Sequence, residues 1–258
     1  MSKRMIRVLE QVTFLLFIVC IWQFISYIGV DIMGWWKSYS VPTPFGVFAS
    51  LKSLLNQNAL LPAIGYSMVR CISGFSIAVF LGFIVGILIH RFKFLGRNLK
   101  PIILGIQTLP SICWVPFAIL WFGLDNSAVL FVVVMGSAFS FSIAVDSAIR
   151  GINPIYLKVA QTMGTNKRDT YLHVVIPASL PGFVSGLKQT WSFAWRALMS
   201  GEVMVTCIGL GYTLILGREL ADINQVALVM IVIILLGVLV DKFVFSVIEK
   251  SILKRRGL

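Results

Sequence analysis

Charge is what this sequence has least of: only 12% of its 258 residues are Asp, Glu, Lys or Arg, against about a quarter in an ordinary soluble domain. That scarcity excludes a water-soluble globular chain. Acidic residues are rarer still, 10 against 22 basic ones, for a net charge of +12. The four cysteines, Cys20, Cys71, Cys113 and Cys207, stand singly in apolar surroundings. With no CxxC and no ligand-like spacing, neither a disulfide framework nor a metal centre is expected. The signatures of hydrolytic chemistry are also missing. No Gly-x-x-x-x-Gly-Lys-Ser/Thr run is present, which leaves no phosphate-cradling loop, and neither HExxH nor GxSxG occurs. No catalytic residue is expected, and the chain reads as a non-enzyme.

What the sequence has in abundance is apolar length. Hydrophobic residues make up 58% of it, and a membrane-crossing helix needs about 20 of them in a row. Six stretches qualify: 12–30, 66–90, 101–122, 128–149, 180–206 and 226–248. The first follows a basic start but lacks an A-x-A cleavage site, so a retained helix is expected there, not a signal peptide. Residues 41–62 are less apolar and broken by Pro42, Pro44 and Pro62; they read as an extracellular segment with a short amphipathic helix. The expected fold class is an all-α polytopic membrane protein, a single domain over 1–258.

The basic residues orient it. Lys3, Arg4 and Arg7 precede the first span, and Arg91, Lys93, Arg97 and Lys100 follow the second. Arg150, Lys158, Lys167 and Arg168 follow the fourth, and Lys250, Lys254, Arg255 and Arg256 the sixth. These are 15 of the 22 Lys+Arg on one side of six spans, with only Lys37, Lys52 and Arg218 opposite. The positive-inside rule places that side, and both termini, in the cytoplasm. The same loops account for the net positive charge, so no nucleic-acid partner is expected.

Within the spans, Gly74, Ala78, Gly82 and Gly86 recur every four residues and line one helical face. Such a stripe lets another helix approach closely, either within the chain or from a second subunit. Pro110 and Pro116 fall in one span, where missing backbone donors mark kinks beside a cavity or in a protein-buried segment. Trp22, Trp35, Trp36, Trp121 and Tyr212 stand near span ends, as interface anchors do.

One segment breaks the apolar pattern. Residues 158–181, KVAQTMGTNKRDTYLHVVIPASLP, form a polar, basic, turn-rich island on the cytoplasmic side. Pro154 starts a helix whose Ile155, Val159 and Met163 are spaced by four, and Gly164 stops it. A second short helix to Tyr171 and re-entry at Pro177 and Pro181 complete a helix–turn–helix suited to a groove on a soluble partner.

This island resembles the EAA loop of binding-protein-dependent ATP-binding-cassette (ABC) importer permeases, whose form is Glu-Ala-Ala, three residues, Gly, then Ile-x-Leu-Pro. The matching positions are Lys158, Val159, Ala160, Gly164, Val174, Val175, Ile176 and Pro177. TLPSICWVPFAILWFGLDNSA over 108–128, HVVIPASLPGFVSGLK and GLGYTL over 209–214 are similar to the nitrate/taurine/aliphatic-sulfonate subgroup, as are the Glu202 region and Asp241. Two positions depart: the family's Glu is Lys158 and its first Ala is Val159.

The resemblance implies a type I ABC importer permease fold and a coupling loop over 154–177. It implies a cytoplasmic ATPase dimer carrying ATP and Mg, a second permease subunit expected as a homodimer, and an extracytoplasmic substrate-binding protein. The chain itself is expected to bind no cofactor. The implied cargo is a small anion of the nitrate, taurine or alkanesulfonate class. A vitamin or pyrimidine-type precursor is the alternative cargo, and a secondary transporter without ATPase is the rival of a different class. The cytoplasmic island and the absence of an inverted repeat count against that rival.

Charges inside spans default to functional candidates. Arg196 lies 13 residues past Phe183, about 20 Å along a helix and near mid-membrane; it lines a pathway or belongs to a structural pair. Glu202, six residues on, is off its face and is the second pathway candidate. Lys188 is expected to snorkel to the cytoplasm. Arg70, Asp146 and Asp241 stand near span ends and read as solvated or paired. His90 and His173 lack partners at metal spacing.

Overall fold

The computed structural model describes residues 3–37 and 39–254, with side chains described for 9–37 and 39–252. Arg255 and Arg256, and the side chains of Lys3, Arg4, Arg7 and Lys254, lie outside the described residues. All regular structure among the described residues is helical. The helices are α1 (Lys3–Tyr27), α2 (Pro44–Asn56), α3 (Leu60–Arg91), α4 (Lys93–Gln107), α5 (Val115–Phe122) and α6 (Asn126–Arg150). They continue with α7 (Pro154–Thr162), α8 (Lys167–Thr170), α9 (Ile176–Met204), α10 (Leu210–Glu219), α11 (Ile223–Val240) and α12 (Ser246–Lys254).

Five stretches are long and apolar enough to cross a membrane: Leu9–Ile32, Leu60–Arg91, Asn126–Arg150, Lys167–Met204 and Ile223–Ile252. The crossing expected over 101–122, with kinks at its two prolines, is a bent pair. α4 begins at Lys93, and the chain turns by 99° between Gln107 and Ser111. Pro110 sits in the bend with extended backbone (φ −57°, ψ 139°), because it offers no N–H to continue the helix. Pro116, which occupies the first turn of α5, causes no break, since a first-turn N–H has no intrahelical acceptor anyway.

α6 is the central helix: half of its apolar window is buried, against 11–28% for the other spans. α3 runs parallel to it and α9 antiparallel. Small residues make both approaches possible. An added Cβ at Gly82 would lie 2.6 Å from the Ala138 carbonyl oxygen, and one at Gly86 would lie 2.6 Å from Val145 Cβ. Gly182 and Gly186 of α9 meet Ala148 and Ala144 in the same way. The Gly74, Ala78, Gly82, Gly86 stripe is thus wholly buried against α6 within the chain, and that face is not open to a second subunit. Beside it Phe75, Trp191 and Phe245 pack edge-on and tilted at centroid distances of 5.3–6.2 Å. The outward faces remain apolar, as at Phe14, Phe80, Leu120 and Leu235, which matches hydrocarbon surroundings.

The two ends of the bundle differ. At one, Asp146 is fully buried and holds Lys100 Nζ and Arg150 Nε at 2.7 Å each, with His90 Nδ1 at 3.4 Å. These contacts tie together the ends of α3, α4 and α6. At the other end Thr43 caps α2 and donates its backbone N–H to Asn224 Oδ1 at 3.0 Å. α1 meets the rest through Trp22 Nε1 and Ser26 Oγ, which both donate to the Pro42 carbonyl.

Candidate functional site

α9 carries one polar face through the bundle. Ser185, Gln189, Ser192 and Arg196 are exposed and Lys188 and Ser200 half-buried, at spacings of three and four that place them along one side. Their apolar neighbours Val184, Trp191, Ala194 and Leu198 turn inward. The stripe joins two cavities. The lower, about 430 Å³, is lined by Ser185, Lys188, Gln189, Ser192 and Asp241. Lys188 does not reach out freely; it pairs with Asp241 at 3.4 Å and approaches Glu249 at 4.0 Å.

The upper cavity, about 390 Å³, lies against the bend at Pro110. Gln107, Thr108, Ser111, Phe193, Arg196 and Ser200 line it, and Arg196 is its sole charged lining residue among those described. The Ser111 and Ser200 hydroxyls are 3.1 Å apart. Arg196 donates Nε to the Ser192 carbonyl at 3.2 Å and stacks over Phe193 at 4.7 Å. No acidic side chain pairs with it among the described residues. Arg196 sits about 12 Å along the helix from Lys188. A lone guanidinium with hydroxyl and amide donors around it is suited to a small anion. The polar groups contributed by the bend, Gln107, Thr108 and Ser111, carried no sequence signal beyond the neighbouring proline.

Glu202 is elsewhere. It is 1% exposed and lines neither cavity. Its carboxylate accepts from Arg70 Nη1 at 2.8 Å, from the Ser67 hydroxyl at 2.7–2.8 Å and from the Gly211 N–H at 3.0 Å. Arg70 also donates to Asn126 Oδ1, and Leu210 N–H donates to Ser67 Oγ. The structure thus sets Glu202, the second pathway candidate, apart from both cavities and bonds it to the start of α10. Charge in a low-dielectric interior needs a partner, and this partner lies 132 residues away, beyond the reach of local pattern.

The polar, basic island folds as two short helices. The Asn153 side chain caps α7 by accepting from Ile155 N–H, and Pro154 occupies its first turn. Gly164 ends it in the left-handed region (φ +70°). Thr165 N–H then bonds Ala160 O and Gly164 N–H bonds Gln161 O, the pairing that satisfies a helix's last carbonyls. Asn166 caps α8, and Ile176 N–H reaches five residues back to Tyr171 O, widening the turn ahead of Pro177.

Ala160 faces inward at 3% exposure, while Ile155, Tyr156, Val159 and Met163 point outward at 50–75%. Val159, Ala160 and Pro177 meet in one groove of about 930 Å³. Lys158 is exposed and outside that groove, and Ile176 faces a different cavity. No group of three or more His, Cys, Asp or Glu suited to a metal occurs among the described residues.

Comparison with known proteins places these features in context. The family model described as "Binding-protein-dependent transport system inner membrane component" matches residues 78–254. The chain is 29% identical over 240 residues to the putative aliphatic sulfonates transport permease protein SsuC of Bacillus subtilis, covering 93% of this chain and 85% of that one. It is 30% identical over 217 residues to the nitrate import permease protein NrtB of Synechococcus elongatus, covering 77% and 75%. Among solved structures it resembles a chain of the MetNI methionine ABC transporter in an inward-facing conformation. That likeness has a TM-score of 0.64 at 17% identity, covering 76% of this chain and 97% of that one. At such identity the likeness speaks to the fold, which is that of a type I ABC importer permease.

Proposed function

This chain belongs to the family of binding-protein-dependent transport system inner membrane components, and on that premise we propose that Arg196 lies on the route of a small anionic solute. The chain is a permease subunit of an ABC importer, a multi-pass protein of the prokaryotic cytoplasmic membrane, and not itself an enzyme. Permeases of this family work with an ATPase and a substrate-binding protein.

The observation that carries the anion reading is Arg196, a cation at membrane depth facing a cavity with no acidic partner among the described residues. An isolated charge there is costly, and an anion passing through supplies the missing partner. Solutes of the nitrate, taurine and alkanesulfonate class fit. The names of the sulfonate and nitrate relatives agree with this. The polar stripe of α9 continues the route toward Lys188.

In this reading the basic end of the bundle faces the cytoplasm. The outward apolar face of α7, from Ile155 to Met163, docks on an ATPase dimer that holds ATP and Mg. A second copy of the chain completes the pathway, and an extracytoplasmic binding protein delivers the solute at the α2 and α10 end.

Uptake of radiolabelled solute into vesicles holding the intact transporter tests the role of Arg196. Arg196→Gln removes a charge-assisted hydrogen bond, an effect of roughly 10- to 100-fold on uptake. Arg196→Lys, which keeps the charge, retains part of it. Wild-type uptake by Arg196→Gln would remove this residue from the route.

A further inference from the structure

Two cavities adjoin at the basic end of the bundle, sharing His90, Ile149, Tyr171 and Val175 in their walls. One, about 600 Å³, lies beneath α7 and α8 and adds Arg150 and Lys167. The other, about 490 Å³, runs between α3 and α9 along Phe83, Ile87, Leu180 and Phe183, with Arg91 at its mouth. Neither has an acidic residue in its lining. The one carboxylate bonded to these walls, Asp146, is fully buried and already held by Lys100 and Arg150. Arg91 and Lys167 are exposed and have no acidic partner among the described residues.

Together the adjoining cavities offer a cationic head and an apolar tail. Phe83, Ile87 and Leu180 are 36–46% exposed on the outer faces of α3 and α9, so the tail opens sideways onto hydrocarbon. A soluble anion would use the head and leave the tail empty; a zwitterionic lipid would fill the tail and leave the surplus positive charge unanswered. We propose that an acidic phospholipid occupies this site, its phosphate among Arg91, Arg150 and Lys167 and one acyl chain between Phe83, Ile87, Leu180 and Phe183. Basic residues at the membrane surface, beside the ends of spanning helices, select acidic headgroups. Because the head lies directly beneath α7 and α8, the lipid braces the island against the ends of α3 and α6.

Native mass spectrometry of the intact transporter tests this, with phosphatidylglycerol and phosphatidylcholine of identical chains. Phosphatidylglycerol should be retained preferentially. Arg91→Gln with Lys167→Gln should weaken its retention about 25-fold, roughly fivefold per basic residue. Both residues are exposed, so the variant should assemble normally, which size-exclusion chromatography checks. Lys93→Gln, at the same end but outside both cavities, should change retention little. Equal retention of the two lipids overturns the proposal, as does an equal loss in Lys93→Gln. Competition by millimolar inorganic phosphate also overturns it, since that would make the site one for free anions.

Discussion

Replacing Glu202 with Gln tests whether this carboxylate holds the fold together or meets the solute. Three donors converge on it: Arg70 Nη1 at 2.8 Å, Ser67 Oγ at 2.7–2.8 Å and Gly211 N–H at 3.0 Å. The surroundings are dry, with Arg70 at 7% and Glu202 at 1% exposure. An amide in its place strands the Arg70 guanidinium without a counter-charge. It also turns an NH2 group, itself a donor, toward either the Arg70 guanidinium or the Gly211 N–H. Removing one member of a buried pair costs about 3–5 kcal/mol. On the scale for chains of this size, each kcal/mol lowers Tm by about 2–4 °C, so a fall of roughly 6–20 °C is expected.

Thermal unfolding of the detergent-purified chain, followed by fluorescence of its seven tryptophans, reads this directly. The double variant Arg70→Met, Glu202→Met should recover part of the loss, because no unpaired charge is left behind. Among the molecules that fold, the KM for solute should match the wild type. A Tm shift below about 2 °C, or a double variant as unstable as the sum of the singles, would refute the structural reading.

Other substitutions probe other parts of the molecule. Gly82→Ala should cost about 1–3 kcal/mol by overpacking against the Ala138 carbonyl, whereas Gly105→Ala, with nothing within 4 Å, should not destabilise; paired melting curves settle it. Arg196→Gln should leave Tm unchanged while reducing uptake, the reverse of Glu202→Gln. Lys158→Glu restores the residue that related loops carry at an exposed position outside the α7 groove. If the ATPase surface has adapted to a base there, coupling of ATP hydrolysis to transport should fall. Unchanged coupling would show that this position makes no charged contact.

Much of the architecture was readable because it is local. Hydropathy over some 20 residues marks a membrane helix whatever it packs against, and α3, α6, α9 and α11 lie where the apolar runs stand. The turn after α7 was equally legible, since Gly164 is the residue that tolerates its positive φ. Pro110 and Pro116 illustrate the limit. Both were visible as disruptors, but only Pro110 breaks the chain, because Pro116 falls in a first turn where its missing N–H costs nothing.

Arg196 and Glu202 show what the sequence by itself could determine and what it could not. Composition and spacing placed both charges inside a helix, and the 3.6-residue period kept them off one another's face. Whether each meets a cavity or a counter-charge depends on residues far along the chain, Arg70 for Glu202 and the bend at Pro110 for Arg196, brought near by the packing of the bundle. The same holds for the small-residue stripe, whose periodicity allowed a partner helix without naming α6. Local free energies set the helices and their ends. The tertiary structure alone decided which polar groups are paired inside the bundle and which remain free to meet a solute or a lipid.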